Sequence, residues 1–265
     1  MALAPEDRLA LAPEDRLART PLPGEGEPSR GLDLPRDEEK RSQVRAMFDR
    51  IAPRYDAMNR LMTVGLDQRW RGAALDAVGT GIGDRVLDLA CGTGDLAELA
   101  AARGAEVVGV DFAREMLRGA MQRRISALWI QGDGAALPLP DASATVISCG
   151  FALRNFASLP EVFDEMARVL EPGGRLALLE VDRPSLAVVR VAHSLYFDRV
   201  VPRVGGWLSD RAAYTYLPRS TVYLPDAPEL TALIAAAGFR EVRRRPLLLG
   251  SAQIITAIRT EREAS

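Results

Sequence analysis

The sequence predicts a doubly wound α/β fold, a parallel sheet with helices on both faces. Three observations carry the prediction. Short apolar runs alternate with helix-like stretches from residue 85 to residue 181, the pattern of successive strand–helix units. The first run, 85–90, opens into a loop carrying Gly92 and Gly94, and glycines there accept positive φ and let a ligand approach the backbone. The second run, 106–111, ends in the carboxylate of Asp111, a position suited to both hydroxyls of a ribose. Loop and carboxylate together read as a cradle for a nucleoside cofactor.

The elements follow in order. Val44, Met47, Phe48 and Ile51 recur at helical spacing ahead of Pro53, so order is expected to begin near Ser42. A second helix-like stretch runs from 59 to 77. Strand 85–90 then leads to helix 95–103, strand 106–111, helix 113–121, strand 127–131, strand 144–149, helix 159–170 and strand 175–181. Pro172-Gly173-Gly174 supplies the turn into that last strand. Beyond Asp182 the rhythm breaks. Residues 185–224 mix apolar and aromatic side chains with arginines and read as an inserted lid. Helix 227–237 and strands 239–246 and 250–259 complete a seven-stranded sheet. The predicted organisation is a tail, 1–40, followed by one domain, 41–265, that contains the lid. The tail repeats LAPEDRLA at 3–10 and 11–18, with Pro5 and Pro13 interrupting any single helix, and turns rich in Pro, Gly and charge after Thr20. It is expected to be disordered.

Composition narrows the class. A chain of 265 residues, nearly half of them hydrophobic, has room for one α/β core plus extensions. A net charge of -2 argues against a general nucleic-acid binder. Lys40 is the only lysine among many arginines, which a GC-rich genome explains without a function. Cys91 and Cys149, both in or beside apolar strands, do not form a disulfide framework, so a reducing cytosol is expected. His193 is the sole histidine and metal-ligand spacing is absent, so no metal is expected. The first residues lack the basic start and apolar core of a secretory signal. No apolar run approaches the ~20 residues needed to cross a bilayer. These features predict a cytoplasmic protein, soluble or peripheral.

The loop fits the dinucleotide pattern loosely, as Gly92-x-Gly94-x-x-Ala97 with Asp111 about 20 residues onward. Asp88, four residues before Gly92, points elsewhere. A carboxylate there repels a pyrophosphate but can hold the ammonium of a methionine moiety. Gly132-Asp133-Gly134-Ala135, after the third strand, stands where an adenine edge can be read. The set resembles the methyl-donor site of class I S-adenosylmethionine-dependent methyltransferases, and an NAD site is the competing reading.

Three further segments sharpen the resemblance. They are Tyr55-Asp56-Ala57-Met58-Asn59 continuing to Thr63 and Trp70, Gly150-Phe151-Ala152-Leu153-Arg154-Asn155, and Arg168-Val169-Leu170-Glu171-Pro172-Gly173-Gly174 leading to Glu180, with Ala213 to Leu217 and Ser220 beyond. Together they resemble the ubiquinone/menaquinone biosynthesis C-methyltransferase family across residues 42–260. The chain departs from the family pattern at Thr63 (usually serine), Asp67 (usually histidine), Glu171 (usually lysine or arginine) and Val181-Asp182 (usually Phe-Ser).

The resemblance implies a class I methyltransferase sheet with an N-terminal helical cap and S-adenosylmethionine as cofactor. It implies methyl transfer to a ring carbon of a polyprenyl quinol, demethylmenaquinol first. A 2-polyprenyl-6-methoxybenzoquinol or a specialised phenol is the alternative substrate, and a non-catalytic scaffold of a quinone-synthesis complex is the alternative of a different class. By motif match, Asp88, Gly92, Thr93, Gly94, Asp111, Asp133, Gly134 and Ser148 belong to the cofactor site. Arg154 is placed to stabilise a phenolate, Asn155 to hold a quinol oxygen, and Asp56 to act as a general base. Tyr55, Asn59, Tyr214 and Tyr216 are the candidates for the substrate pocket. Each carries a plain structural reading beside it: helix cap or strand-end hydrogen bond for the acids, ion pair for Arg154, core packing for a tyrosine. The greasy, arginine-rimmed 185–224 segment suits a peripheral membrane contact, a lid or a homodimer face, and Arg240, Arg243, Arg244 and Arg245 read as a solvated edge strand.

Overall fold

A computed structural model describes residues 9–11, 37–182 and 223–261. Helix α1 (Asp37–Ile51), a 3-10 turn (Ala52–Arg54), α2 (Tyr55–Thr63) and α3 (Leu66–Ala77) precede the main sheet. The sheet then alternates with helices: β2 (Arg85–Leu89), α4 (Asp95–Ala102), β3 (Glu106–Asp111), α5 (Arg114–Gln122), β4 (Ala127–Gln131), β5 (Ala144–Gly150), α6 (Leu159–Val169) and β6 (Leu170–Val181). After residue 222 come α7 (Ala227–Ala236), β7 (Phe239–Leu247) and β8 (Ala252–Arg259). A three-residue strand, β1 (Leu9–Leu11), lies parallel to β4 at the outer edge.

The strand order is β1-β4-β3-β2-β5-β6-β8-β7. All neighbours pair parallel except β8, which runs antiparallel between β6 and β7. The seven strands β2–β8 are the expected sheet. The chain winds outward from β2 through β3 to β4, then restarts on the other side of β2 with β5. That reversal opens a crevice beyond the carboxyl ends of β2 and β5, where ligands bind in open α/β sheets.

Burial explains why these strands sit centrally. Val86, Leu87 and Leu89 of β2 and Val146, Ile147 and Cys149 of β5 are all buried, as expected for parallel strands covered on both faces. One apolar layer packs α6 and α7 against the sheet through Phe163, Met166, Leu230 and Ile234. The other packs α3, α4 and α5 through Leu75, Leu96, Leu117 and Trp129. A third, smaller core joins the N-terminal cap to α5 through Val44, Met47, Phe48, Ile51, Met58 and Met116. Asp49 of α1 accepts from the Glu115 N–H at the start of α5, 3.1 Å away, pinning the cap at that end.

Four details differ from the sequence expectation, one of them the short strand β1 in a tail expected to be disordered. The stretch read as one helix over 59–77 is two, α2 and α3, split where Val64 and Gly65 adopt φ of 53° and 75°. A left-handed pair ends one helix, and Gly65 becomes the N-cap of the next. The turn at Pro172–Gly174 lies inside β6: Leu170 pairs with Ala144, Arg175 pairs with Val146, and the residues between bulge out. The first helix begins at Asp37. Most of the 1–40 tail and nearly all of the 185–224 lid lie outside the described residues, and with them Tyr214, Tyr216 and His193.

Candidate active site

The carboxyl ends of β2, β3 and β5 and the cap helices enclose a cleft of about 710 Å³. Its lining includes Phe48 and Tyr55 from the cap, Gly92 from the loop, Asp111 and Phe112 after β3, Gly132–Gly134 after β4, and Phe151, Asn155 and Phe156 after β5. A second cleft of about 270 Å³ continues beside it, lined by Arg71, Asp88, Cys91, Thr93, Asp95 and Leu96. Tyr55, Ala90, Gly92 and Gly150 line both, so the two are joined. Ala90 and Phe151 hold left-handed backbones, φ 52° and 59°, at the ends of β2 and β5. Strain of that kind in non-glycine residues collects where a site must be shaped.

The loop and the strand ends are wired together. Asp111 Oδ2 accepts from the Gly92 N–H at 2.8 Å and Oδ1 from the Ala113 N–H at 2.8 Å. Each oxygen keeps lone-pair capacity toward the large cleft. Burial pushes the Asp111 carboxyl up to about 6, against the backbone bonds from Ala113 and Gly92. Asp133 Oδ1 accepts from the Ala135 N–H at 3.0 Å, and Oδ2 faces Arg41 of α1 at 3.6 Å. Gly134 sits directly on Phe156: a Cβ there would lie 2.7 Å from the ring. Phe156, Phe112 and Met116 line the large cleft with it, an apolar surface suited to a purine.

The methionine-side residues fall into two layers. Asp88 lines the small cleft, but its Oδ1 accepts from Ser148 Oγ at 2.9 Å and its Oδ2 from the Ala97 N–H at 3.0 Å, in the first turn of α4. Burial drives its carboxyl up to about 7, with Ser148, Arg71 and Ala97 pulling it down. Ser148 is wholly buried and meets the cleft only through Asp88. Gly94 is the left-handed N-cap of α4, φ 89°, and a Cβ there would lie 2.9 Å from Trp129, so its role is to let the loop turn. Thr93 lines the small cleft and donates its hydroxyl to Asp56 of α2.

The residues proposed for catalysis are placed unevenly. Asn155 lines the large cleft. Arg154 is buried behind it; one guanidinium nitrogen bonds the Phe151 carbonyl at 2.8 Å and pairs with Glu180 at the end of β6. Asp56 lines neither cleft. One of its oxygens accepts from Thr93, and the other is ion-paired with Arg123, the residue that caps the end of α5. Asn59 is buried in the cap. Two groups were missed by sequence reasoning. One is the aromatic wall of Phe48, Phe112, Phe151 and Phe156. The other is an arginine cluster of Arg60, Arg71 and Arg123 around Asp67 and Asp95. Phe112 and Phe151 could have been found, since each follows a strand end directly. The cluster could not, because its members come from α2, α3, α4 and the end of α5.

Asp111, the glycines at 92 and 134 and the apolar surface beside Phe156 fit an adenosine. The adjoining polar cleft fits a short amino-acid tail. Fold and site together define a methyltransferase of the class I architecture. The chain belongs to the ubiE/COQ5 methyltransferase family, whose model matches residues 36–259. It is 44% identical over 215 residues to a demethylmenaquinone methyltransferase of Thermus thermophilus, covering 78% of this chain and 97% of that one. It is 42% identical over 222 residues to the demethylmenaquinone methyltransferase of Deinococcus radiodurans, covering 81% and 92%. The fold matches a solved SAM-dependent methyltransferase of Thermotoga maritima with a TM-score of 0.59 at 18% identity, covering 82% of this chain and all of that one.

Proposed function

We propose that this chain is an S-adenosylmethionine-dependent C-methyltransferase that converts demethylmenaquinol to menaquinol. The observation that carries the reading is the joined pair of clefts at the carboxyl ends of β2, β3 and β5. One end offers ribose and purine contacts, and the other side is an aromatic wall with Asn155 in it. The substrate comes from the names of the relatives at 44% and 42% identity. When bound, the cofactor supplies an electrophilic methyl group on a sulfonium.

The chain's own residues then have five tasks. Asp111 takes the ribose hydroxyls on the lone pairs left over from Gly92 and Ala113. Phe48, Tyr55, Phe151 and Phe156 exclude water and stack against a flat ring. Asn155 holds a quinol oxygen; its Oδ1 is buried with no hydrogen-bond partner among the described residues. Arg154 stabilises the phenolate electrostatically from behind, with Glu180 fixing its orientation. Asp56 serves as a latch between cap and loop: it lines neither cleft, and its oxygens hold Thr93 and Arg123. No helix among the described residues is long and apolar enough to cross a membrane. The 185–224 segment is the proposed peripheral contact through which a prenylated quinol arrives.

The test is a methyl-transfer assay with S-adenosylmethionine and chemically reduced short-tail demethylmenaquinone, read by mass spectrometry. Menaquinone is the expected product. Methylation of a methoxybenzoquinol alone would replace the substrate, and tight cofactor binding with no product from either would favour the scaffold.

A further inference from the structure

Three arginines converge on Asp95, which lines the small cleft, and they are used differently. Arg60 donates to Asp95 at 3.2 and 3.3 Å and to Asp67 at 3.4 Å. Arg123 donates to Asp95 at 2.7 Å, to Glu98 at 3.1 Å, and to Asp56. Arg71, from α3, is buried and lines that cleft, yet it donates no hydrogen bond among the described residues. Its Nε is buried without a partner among them. Asp67 and Asp95 approach it only as ion pairs, at 3.7 and 3.5 Å.

A buried guanidinium carries five N–H donors, and leaving them unmade is costly. Two carboxylates at ion-pair distance balance its charge without consuming those donors. The Phe151 ring lies under it, 5.3 Å away, and fixes its plane. The group borders the small cleft together with Asp88. A cationic fork and an aspartate on one polar cleft complement a zwitterionic amino acid. We infer that Arg71 binds the carboxylate of the cofactor's methionine moiety through its unused N–H groups, while Asp88 faces the ammonium. The assignment rests on the S-adenosylmethionine reading of the joined clefts and adds a contact that no motif in the loop supplies.

Asp67 supports the same role. It is fully buried and accepts from Thr63 at 3.0 Å, Gln68 at 3.2 Å and Arg60. Where the family pattern has histidine, this chain has a fixed negative charge beside Arg71. That charge holds the guanidinium in the cleft.

The experiment compares binding of S-adenosylmethionine with its decarboxylated form, which lacks only the carboxylate, on the full chain at pH 7.5 by calorimetry. The wild-type chain is expected to prefer the intact cofactor by roughly 10- to 100-fold, the range for charge-assisted hydrogen bonds. Arg71→Gln is expected to bring that ratio close to one while leaving affinity for the decarboxylated ligand unchanged. Arg71→Lys, a point charge without the fork, should fall between. Equal wild-type affinity for the two ligands overturns the assignment without recourse to any variant. So does an Arg71→Gln chain that weakens both ligands alike. A wild-type chain that binds neither ligand overturns the cofactor reading itself, and the assignment with it.

Discussion

The backbone N–H of Gly92 donates to Asp111 Oδ2 across 2.8 Å, tying the cofactor loop to the end of the neighbouring strand. The carboxylate is thus a structural acceptor before any ligand arrives, and its second oxygen does the same for Ala113. Asparagine at 111 keeps the shape but turns one acceptor into a donor facing a backbone N–H. That mismatch is expected to cost about 1–3 kcal/mol of stability and to weaken S-adenosylhomocysteine binding by roughly tenfold or more. Thermal melts and a calorimetric titration read the two effects separately. Unchanged affinity in Asp111→Asn would remove the ribose role.

Asp88 and Asp111 also set a pH dependence. Burial is the first cause in each, raising their carboxyls to about 7 and about 6, against an unfolded value near ~3.9. Between about pH 4 and pH 7 the folded chain therefore binds more protons than the unfolded one. Stability falls as pH rises through that window and is fully present below it. At about 1.4 kcal/mol per unit, the unliganded chain is expected to lose a few kcal/mol between pH 4.5 and pH 8. Melting temperature measured across that range should decline, and Asp88→Asn should flatten the decline. A melting temperature that climbs over the same range, unaffected by the substitution, contradicts the burial argument.

How much of this was readable from the chain depends on how local the cause is. The strands were legible because Val86-Leu87-x-Leu89 and Val107-Val108-x-Val110 are apolar runs that only a covered sheet can bury. Asp111 and the glycine loop were legible because strand, turn and helix are contiguous there. The break at Val64–Gly65 was visible as a glycine but was outweighed by apolar spacing on both sides. Gly109 shows the opposite limit. A Cβ there would collide with the Trp129 ring and lie 3.0 Å from Cys91 Sγ, a constraint set by β4 and the loop that no local pattern displays. The partners of Arg154, Asp56 and Arg71 were illegible for the same reason. Each is chosen by how helices settle on the sheet.

Arg154 illustrates how that changes the design of an experiment. Its guanidinium is paired with Glu180, which is completely buried. Arg154→Ala leaves that carboxylate uncompensated, a change expected to cost about 3–5 kcal/mol. Lost activity in this variant would report unfolding as much as catalysis. Replacing both partners, as Arg154→Met with Glu180→Leu, is expected to melt higher than Arg154→Ala alone, because no orphaned charge remains. Denaturant unfolding of the two single variants and the double variant measures the coupling. Additive losses would show that the pair is not coupled. The variant suited to catalysis is Arg154→Lys, which keeps a charge beside Glu180 and gives up the fork. It is expected to fold and to lose turnover more than substrate affinity.

Asp56, read from sequence as a general base or a helix cap, is placed by its contacts as a latch. As a general base it must face the ring proton of the substrate from the wall of a cleft, and it lines neither. Its position instead joins three elements: α2, on which it sits, the loop through Thr93, and α5 through Arg123. Arg123 reaches on to Asp95 at 2.7 Å, so the latch continues into the first turn of α4. Asp56→Asn keeps the size and one acceptor but removes the charge opposite Arg123. For a latch, hydrogen exchange across Tyr55–Thr63 should accelerate roughly tenfold, the amount that ~1.4 kcal/mol of lost closure gives. Saturating cofactor should recover most of the turnover, and its pH profile should keep its shape. For a base, exchange would stay as in the wild type and turnover would collapse at every cofactor concentration. The latch predicts the first pattern, because the cap carrying Phe48 and Tyr55 closes the large cleft only while α2 is held against the loop.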